Sequence, residues 1–188
     1  MLTYPSSISG AETLQTGISK FISTHNITIM SDFVSDIKNI PHSQETVYEY
    51  LSDLNNLSQV KERLKDPVFQ ERLQQEADKY HTGDIREKLD KISFDRDSLS
   101  FSGSPVGDVS LRIIEREEPK TIKFEGEHTP IGITMWIQLI PVDENSCKMK
   151  LTLRAELNMF IRGMVSKPLQ QGVDTIANIL ASLPYKID

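Results

Sequence analysis

Between Ile92 and Leu157 apolar residues return at every second position in six short runs. The runs are Ile92 and Phe94; Leu99 and Phe101; Val109, Leu111 and Ile113; Ile122 and Phe124; Ile133, Met135, Ile137 and Leu139; and Met149, Leu151, Leu153, Ala155 and Leu157. A period of two places each set on one face of a β-strand. The breaks at Asp95–Ser98, Ser104–Gly107, Glu117–Pro119, Gly126–Pro130 and Asp143–Ser146 are short and rich in turn formers. Such links join antiparallel neighbours, so the pattern predicts a six-stranded meander. The alternate positions carry Ser110, Arg112, Thr121, Lys123, Glu125, Thr134, Gln138, Lys150, Thr152, Arg154 and Glu156. One face of the sheet is therefore apolar and the other faces water.

After Leu157 the period lengthens. Leu169, Val173, Ile176, Ala177, Leu180 and Leu183 recur at three- and four-residue steps, and Ile161, Met164 and Val165 extend the series backwards. That spacing predicts a long helix with Asn158 as N-cap and Pro184 as its stop. Pro168 lies inside it and has no N–H for the Met164 carbonyl, which predicts a kink or a fresh start at Ser166. Burying about seven such side chains stabilises by roughly 10–20 kcal/mol as an upper bound. The apolar face of the sheet is the only surface able to cover them.

The first half of the chain is more varied. Residues 1–30 hold few charges and no sustained pattern, which predicts a poorly ordered tail, with Met30 a candidate for the true start. Asp32–Ile40 reads as one strand ended by Pro41. Ser43 is an N-cap for a helix whose apolar face is Val47, Tyr50, Leu51 and Leu54. A second helix carries Leu57, Val60 and Leu64. From Pro67 to Lys91 two further charged stretches read as a surface insertion interrupted at His81–Gly83, the first with Phe69, Leu73, Ala77 and Tyr80 at helical steps and the second with Ile85, Leu89 and Ile92. The expected fold class is α+β: a curved antiparallel sheet of about seven strands wrapped around a C-terminal helix, spanning residues 31–188.

Composition narrows the function. The 188 residues carry a net charge of −6 and no basic stripe, which disfavours a nucleic-acid partner. Cys147 is the single cysteine, so no intramolecular disulfide forms and a reducing, cytoplasmic compartment fits. No apolar run approaches a membrane span, and residues 1–30 lack the form of a secretory signal.

Four segments carry a resemblance: IPHSQETVYEYLSDLNNL, VSLRIIEREEPKTIKFE, MWIQLIPVDENSCKMKLTLRAELN and MVSKPLQQGVDTIANIL. Together with the element order, from about Phe33 to Tyr185, they resemble the START-like helix-grip superfamily (SRPBCC proteins), in particular its small bacterial members of unknown role. The resemblance implies a deep cavity between sheet and helix that admits apolar ligands. Its expected walls are Phe101, Leu111, Ile113, Phe124, Met135, Ile137, Leu151 and Leu153 from the strands. Met164, Leu169, Gly172, Val173 and Ile176 are expected from the helix. Gly172, with no side chain, leaves room beside the sheet or else allows close packing.

The chain shows no phosphate loop, dinucleotide fingerprint, HExxH or Cys/His zinc spacing. His25, His42, His81 and His128 are scattered, so neither a metal nor a cofactor is expected. Inward parity offers only Arg96 and Glu115 for acid–base work, with Tyr48 and Tyr50 as hydroxyls at the rim. Cys147 opens a strand and reads as structural. Trp136 has outward parity and marks either a contact with the insertion or an exposed surface. The leading expectation is a non-catalytic binder of an apolar small molecule or lipid. A polyketide cyclase-like enzyme and a co-chaperone-type interaction module are the alternatives.

Overall fold

A computed structural model describes residues 27–78, 84–104 and 107–185. The expected tail, residues 1–26, lies outside the described residues. So do Tyr80 and 81–83, and the side chains of Leu73, Ala77 and Ile85.

The alternating runs form an antiparallel sheet. Its strands are β1 (Thr28–Val34), β2 (Lys38–Ile40), β3 (Ile92–Phe94), β4 (Ser98–Ser104), β5 (Gly107–Glu117), β6 (Thr121–Glu127), β7 (Ile133–Asp143) and β8 (Ser146–Asn158). The order across the sheet is β1-β8-β7-β6-β5-β4-β3, with β2 also on β8. The meander from β3 to β8 matches the sequence pattern strand for strand. The expected first strand is instead two, and this makes eight strands. β1 begins at Thr28 and pairs Thr28 and Ile29 with Asn158 and Leu157. β2 resumes three residues after β1 ends. At the break Ser35 keeps the ladder satisfied: its N–H donates to the Leu151 carbonyl at 2.9 Å and its Oγ accepts the Leu151 N–H at 3.0 Å.

A second departure lies in β5, where the pairing shifts between Ile113 and Glu115. A bulge adds a residue without a partner and resets which side the following residues face. Ile114 is left exposed, and Glu115 faces Lys123 at 3.6 Å. The expected inward parity of Glu115 is therefore overturned.

The helices are α1 (Gln44–Ser52), α2 (Asn55–Arg63), α3 (Pro67–Asp78), α4 (Ile85–Asp90) and α5 (Met159–Ala181). Ser43 caps α1, its Oγ accepting the Thr46 N–H at 3.2 Å. Asn158 caps α5 by accepting from the N–H groups of Phe160 and Ile161 at 3.0 and 2.9 Å. Each such bond satisfies a donor that the first helical turn leaves free. α5 runs unbroken across Pro168, so no new helix starts at Ser166. The one bond Pro168 removes belongs to the carbonyl of Met164, a residue exposed to solvent, where water can replace the donor.

α5 packs on β8, β1 and β2, and α1 packs on β6 and β7. The chain after the helix also returns to the core. Tyr185 is fully buried, donates from its hydroxyl to the Leu180 carbonyl at 2.6 Å, and sets its ring edgewise to Tyr50 at 5.3 Å. The insertion is more than a surface appendage, since Leu89 of α4 is buried in the same core as the sheet.

Candidate functional site

The sheet is twisted, and α5 covers only its β8–β1 side closely. Toward β3, β4 and β5 a cavity of about 330 Å³ remains between strands and helix. Its inner wall is Ile92, Phe101, Val109, Leu111, Ile133, Met135 and Leu153 from the strands, against Leu169, Val173, Ile176 and Ile179 from α5. A smaller chamber of about 60 Å³ lies deeper, under α1, α2 and α4. Leu51, Leu54, Leu57, Val60 and Leu89 close it from the helices, with Phe124 and Ile137 beneath. The two chambers share Ile92, Phe101, Met135, Ile176 and Ile179 as a common wall.

Ten of the thirteen residues expected from sequence reach this space. Phe101, Leu111, Met135, Leu153, Leu169, Gly172, Val173 and Ile176 line the outer chamber, while Phe124 and Ile137 line the inner one. A Cβ built on Gly172 meets nothing within 4 Å, so this glycine borders open space and is not a close-packing contact. Three expected residues line neither chamber. Ile113 is buried beside Phe124 at the bulged part of β5, and Leu151 is wholly buried on β8, the strand that β2 and α5 cover. Met164 points into solvent. The sequence reading missed the inner chamber's lid, although the apolar faces of α1 and α2 and Leu89 at its helical step carried the signal. It also missed Ile92, Val109, Ile133 and Ile179, whose parity and helical step were legible.

Among the described lining residues, polar groups gather only at the mouth. The exposed or half-exposed lining residues include Lys91, Ser102, Gly103, Ser104, Pro168, Gln171, Gly172 and Thr175, from the α4–β3 junction, the end of β4 and the outer side of α5. Among the described residues, Lys91 is the one titratable residue lining either chamber. Its Nζ donates to Glu87 Oε1 at 2.8 Å in an exposed pair one helical turn apart, a type worth a few tenths of a kcal/mol.

The other chemical candidates stand apart from the cavity. Arg96 is exposed, 3.9 Å from Asp53, and Glu115 faces outward. Tyr48 and Tyr50 are buried and belong to the core, not to a rim. The Tyr50 hydroxyl donates to the Asn56 carbonyl at 3.1 Å, and burial pushes both phenols above their ordinary pKa. Cys147 is 1% exposed, and burial pushes its thiol up to about 11, which leaves it unreactive at neutral pH. Trp136 lies on the outer face, where the guanidinium of Arg154 covers it. Among the described residues no group of three or more His, Cys, Asp or Glu is placed to hold a metal ion. No helix among them is long and apolar enough to cross a membrane.

No protein-family model matches the sequence, and no curated protein matches it either. Solved structures do match the fold. Norcoclaurine synthase from Thalictrum flavum superposes with a TM-score of 0.57 at 10% identity, over 96% of this chain and 95% of that one. The same enzyme in complex with dopamine and hydroxybenzaldehyde gives 0.55 at 12% identity, over 95% of both chains. A START superfamily protein from Mycobacterium smegmatis gives 0.50 at 11% identity, over 81% of this chain and 94% of that one. An open antiparallel sheet curved around a long C-terminal helix, shared with these proteins, is the START-like helix-grip fold, and this chain has it.

Proposed function

We propose that this protein binds one hydrophobic small molecule or lipid, without catalysis, in the cavity between α5 and the β3–β5 side of the sheet. The carrying observation is the cavity itself: about 330 Å³, apolar throughout its depth, with unfilled space beside Gly172. Ligand sites begin near that size and share that lining. Magnitude supports the reading as well. At about 24 cal/mol per Å³, the penalty found when core side chains are cut back, an unfilled volume of this size costs on the order of 8 kcal/mol as an upper bound for an open site. That is comparable with the whole stability of a domain. A sequence under pressure for stability alone would fill it with larger side chains.

The polar rim gives the ligand a direction. Its apolar body would lie inward against Phe101, Met135 and Ile176, and a polar or anionic end would meet Lys91, Gln171 and Thr175 at the mouth. Catalysis has no described group to carry it inside, because the lone titratable lining residue stands at the rim. The buried, unpaired Cys147 suits a reducing compartment such as the cytoplasm. The test is native mass spectrometry of protein purified from its source, followed by titration with a fluorescent fatty acid and with a neutral apolar dye. A co-purifying mass or saturable uptake is expected. A wild-type protein that takes up neither probe overturns the reading.

A further inference from the structure

We propose that the N-terminal end of α5 is a docking surface for an anionic lipid bilayer. Three large apolar side chains within its first six residues stand in solvent: Phe160 is 84% exposed, Met164 78% and Met159 59%. Ile27 is exposed beside them, because Thr28 pairs with Asn158 at the helix cap. Single exposed apolar residues are ordinary, but a cluster of this kind marks a contact surface.

Charge selects the partner. From Met159 to Val173 the helix carries Arg162 and Lys167, both exposed, and no carboxylate, although the chain as a whole has a net charge of −6. The partial positive charge of the helix N-terminus lies at the same end. The flanking carboxylates are Glu156, two residues before the cap on β8, and Asp174, which accepts from Gln170 Nε2 at 3.1 Å. A two-fold contact between copies of this chain through this side of the helix would bring the positive Lys167 toward its own symmetry mate. Lys167 shares the side of the helix that carries Phe160 and Met164, so a layer of anionic headgroups neutralises it while Phe160 enters the acyl boundary.

Position adds to this. Met164 lies one turn, about 6 Å along the axis, before Pro168 at the cavity mouth. Phe160, Met164 and Gln171 share one side of the helix, so the patch runs into the rim. Docking there sets the mouth against lipid. The inference rests on the exposed patch and its charge, and it does not require that the cavity be filled.

The test is flotation of the full chain with phosphatidylcholine vesicles, with and without one-quarter phosphatidylglycerol. Binding is expected only with the anionic lipid and should fall as salt is raised. The double variant Met159→Ser/Phe160→Ser should weaken it by about a hundredfold or more, the loss of two apolar side chains. Lys167→Glu should abolish the preference for the anionic lipid. Both variants should keep wild-type dye uptake in lipid-free solution, which separates a failure of docking from a failure of the cavity reading. The proposal is overturned if the wild type binds neither vesicle, or if both variants bind like wild type. It is also overturned if sedimentation shows a wild-type dimer that Met159→Ser/Phe160→Ser dissociates.

Discussion

Arg154 holds its guanidinium 5.3 Å from the centroid of the Trp136 ring. The same group donates to both oxygens of Asp32 at 2.7 and 2.9 Å. One side chain on β8 thus ties its two neighbours, β7 and β1, across the outer face. The Arg154 guanidinium beside Asp32 lowers that carboxyl below the ordinary carboxylate range. Both partners are more than a third exposed, so solvent screens the pair. Arg154→Ala is expected to lower stability only slightly, mainly through the lost cation–π contact. It should also shift the emission of Trp136, the sole tryptophan, to longer wavelength. Unchanged emission would mean that the ring is not covered by Arg154 in solution.

Gly172 offers a direct test of the cavity. Its Cβ site is open and its helical backbone suits any residue. Glycine in a helix is less stable than alanine by about 1 kcal/mol. Gly172→Leu should therefore leave stability unchanged or raise it by up to that amount, while reducing uptake of an apolar dye. Loss of about 1–3 kcal/mol, the cost of overpacking, would show that the space is closed in solution.

Ile137 is the converse case. It is buried and borders the small inner chamber. Ile137→Ala should cost about 2–3 kcal/mol, toward the lower end for such truncations, because part of its surroundings is already void. Chemical denaturation measures this, and a cost near 5 kcal/mol would argue that the inner chamber is filled.

Lys91 sets the expected preference for ligand charge. Lys91→Ala should weaken binding of a long-chain fatty acid by about two- to fivefold, the value of one exposed charge contact. A neutral dye should bind as before. Equal effects on both probes would assign Lys91 a role in shaping the mouth and none in reading charge.

Cys147 and Tyr185 predict an alkaline limit to stability. Both acids are raised in the folded state, Cys147 from 9.0 to about 11 and Tyr185 well above 10.0, chiefly by burial. A raised group stabilises the fold fully below its unfolded pKa, and that contribution is lost as pH rises through the folded one. The melting temperature should therefore fall as pH climbs from about 9 toward about 11. At pH 8 the Cys147 thiol should react with a disulfide reagent only as fast as the fold opens. Rapid labelling of the native protein would contradict its burial.

The period of the apolar positions was enough to determine the meander β3–β8, its inner face, and a long helix capped by Asn158. Each of these is fixed within a few neighbouring residues, since side chains alternate along a strand and return every turn of a helix. Ser43 and its helix were legible for the same reason. Where pattern and structure part, a contact between distant segments decides. A bulge at Ile114 resets the faces of β5 and turns Glu115 outward. The first strand divides because Ser35 and Leu151 exchange hydrogen bonds across 116 residues. Ile113, Leu151 and Leu153 share the inward parity, yet only Leu153 borders the cavity. The path of α5 over β8, β1 and β2 decides which inward residues meet a partner and which face open space. Nothing in the local sequence encodes that separation, because it is set by the twist of the whole sheet and by where the helix comes to rest on it.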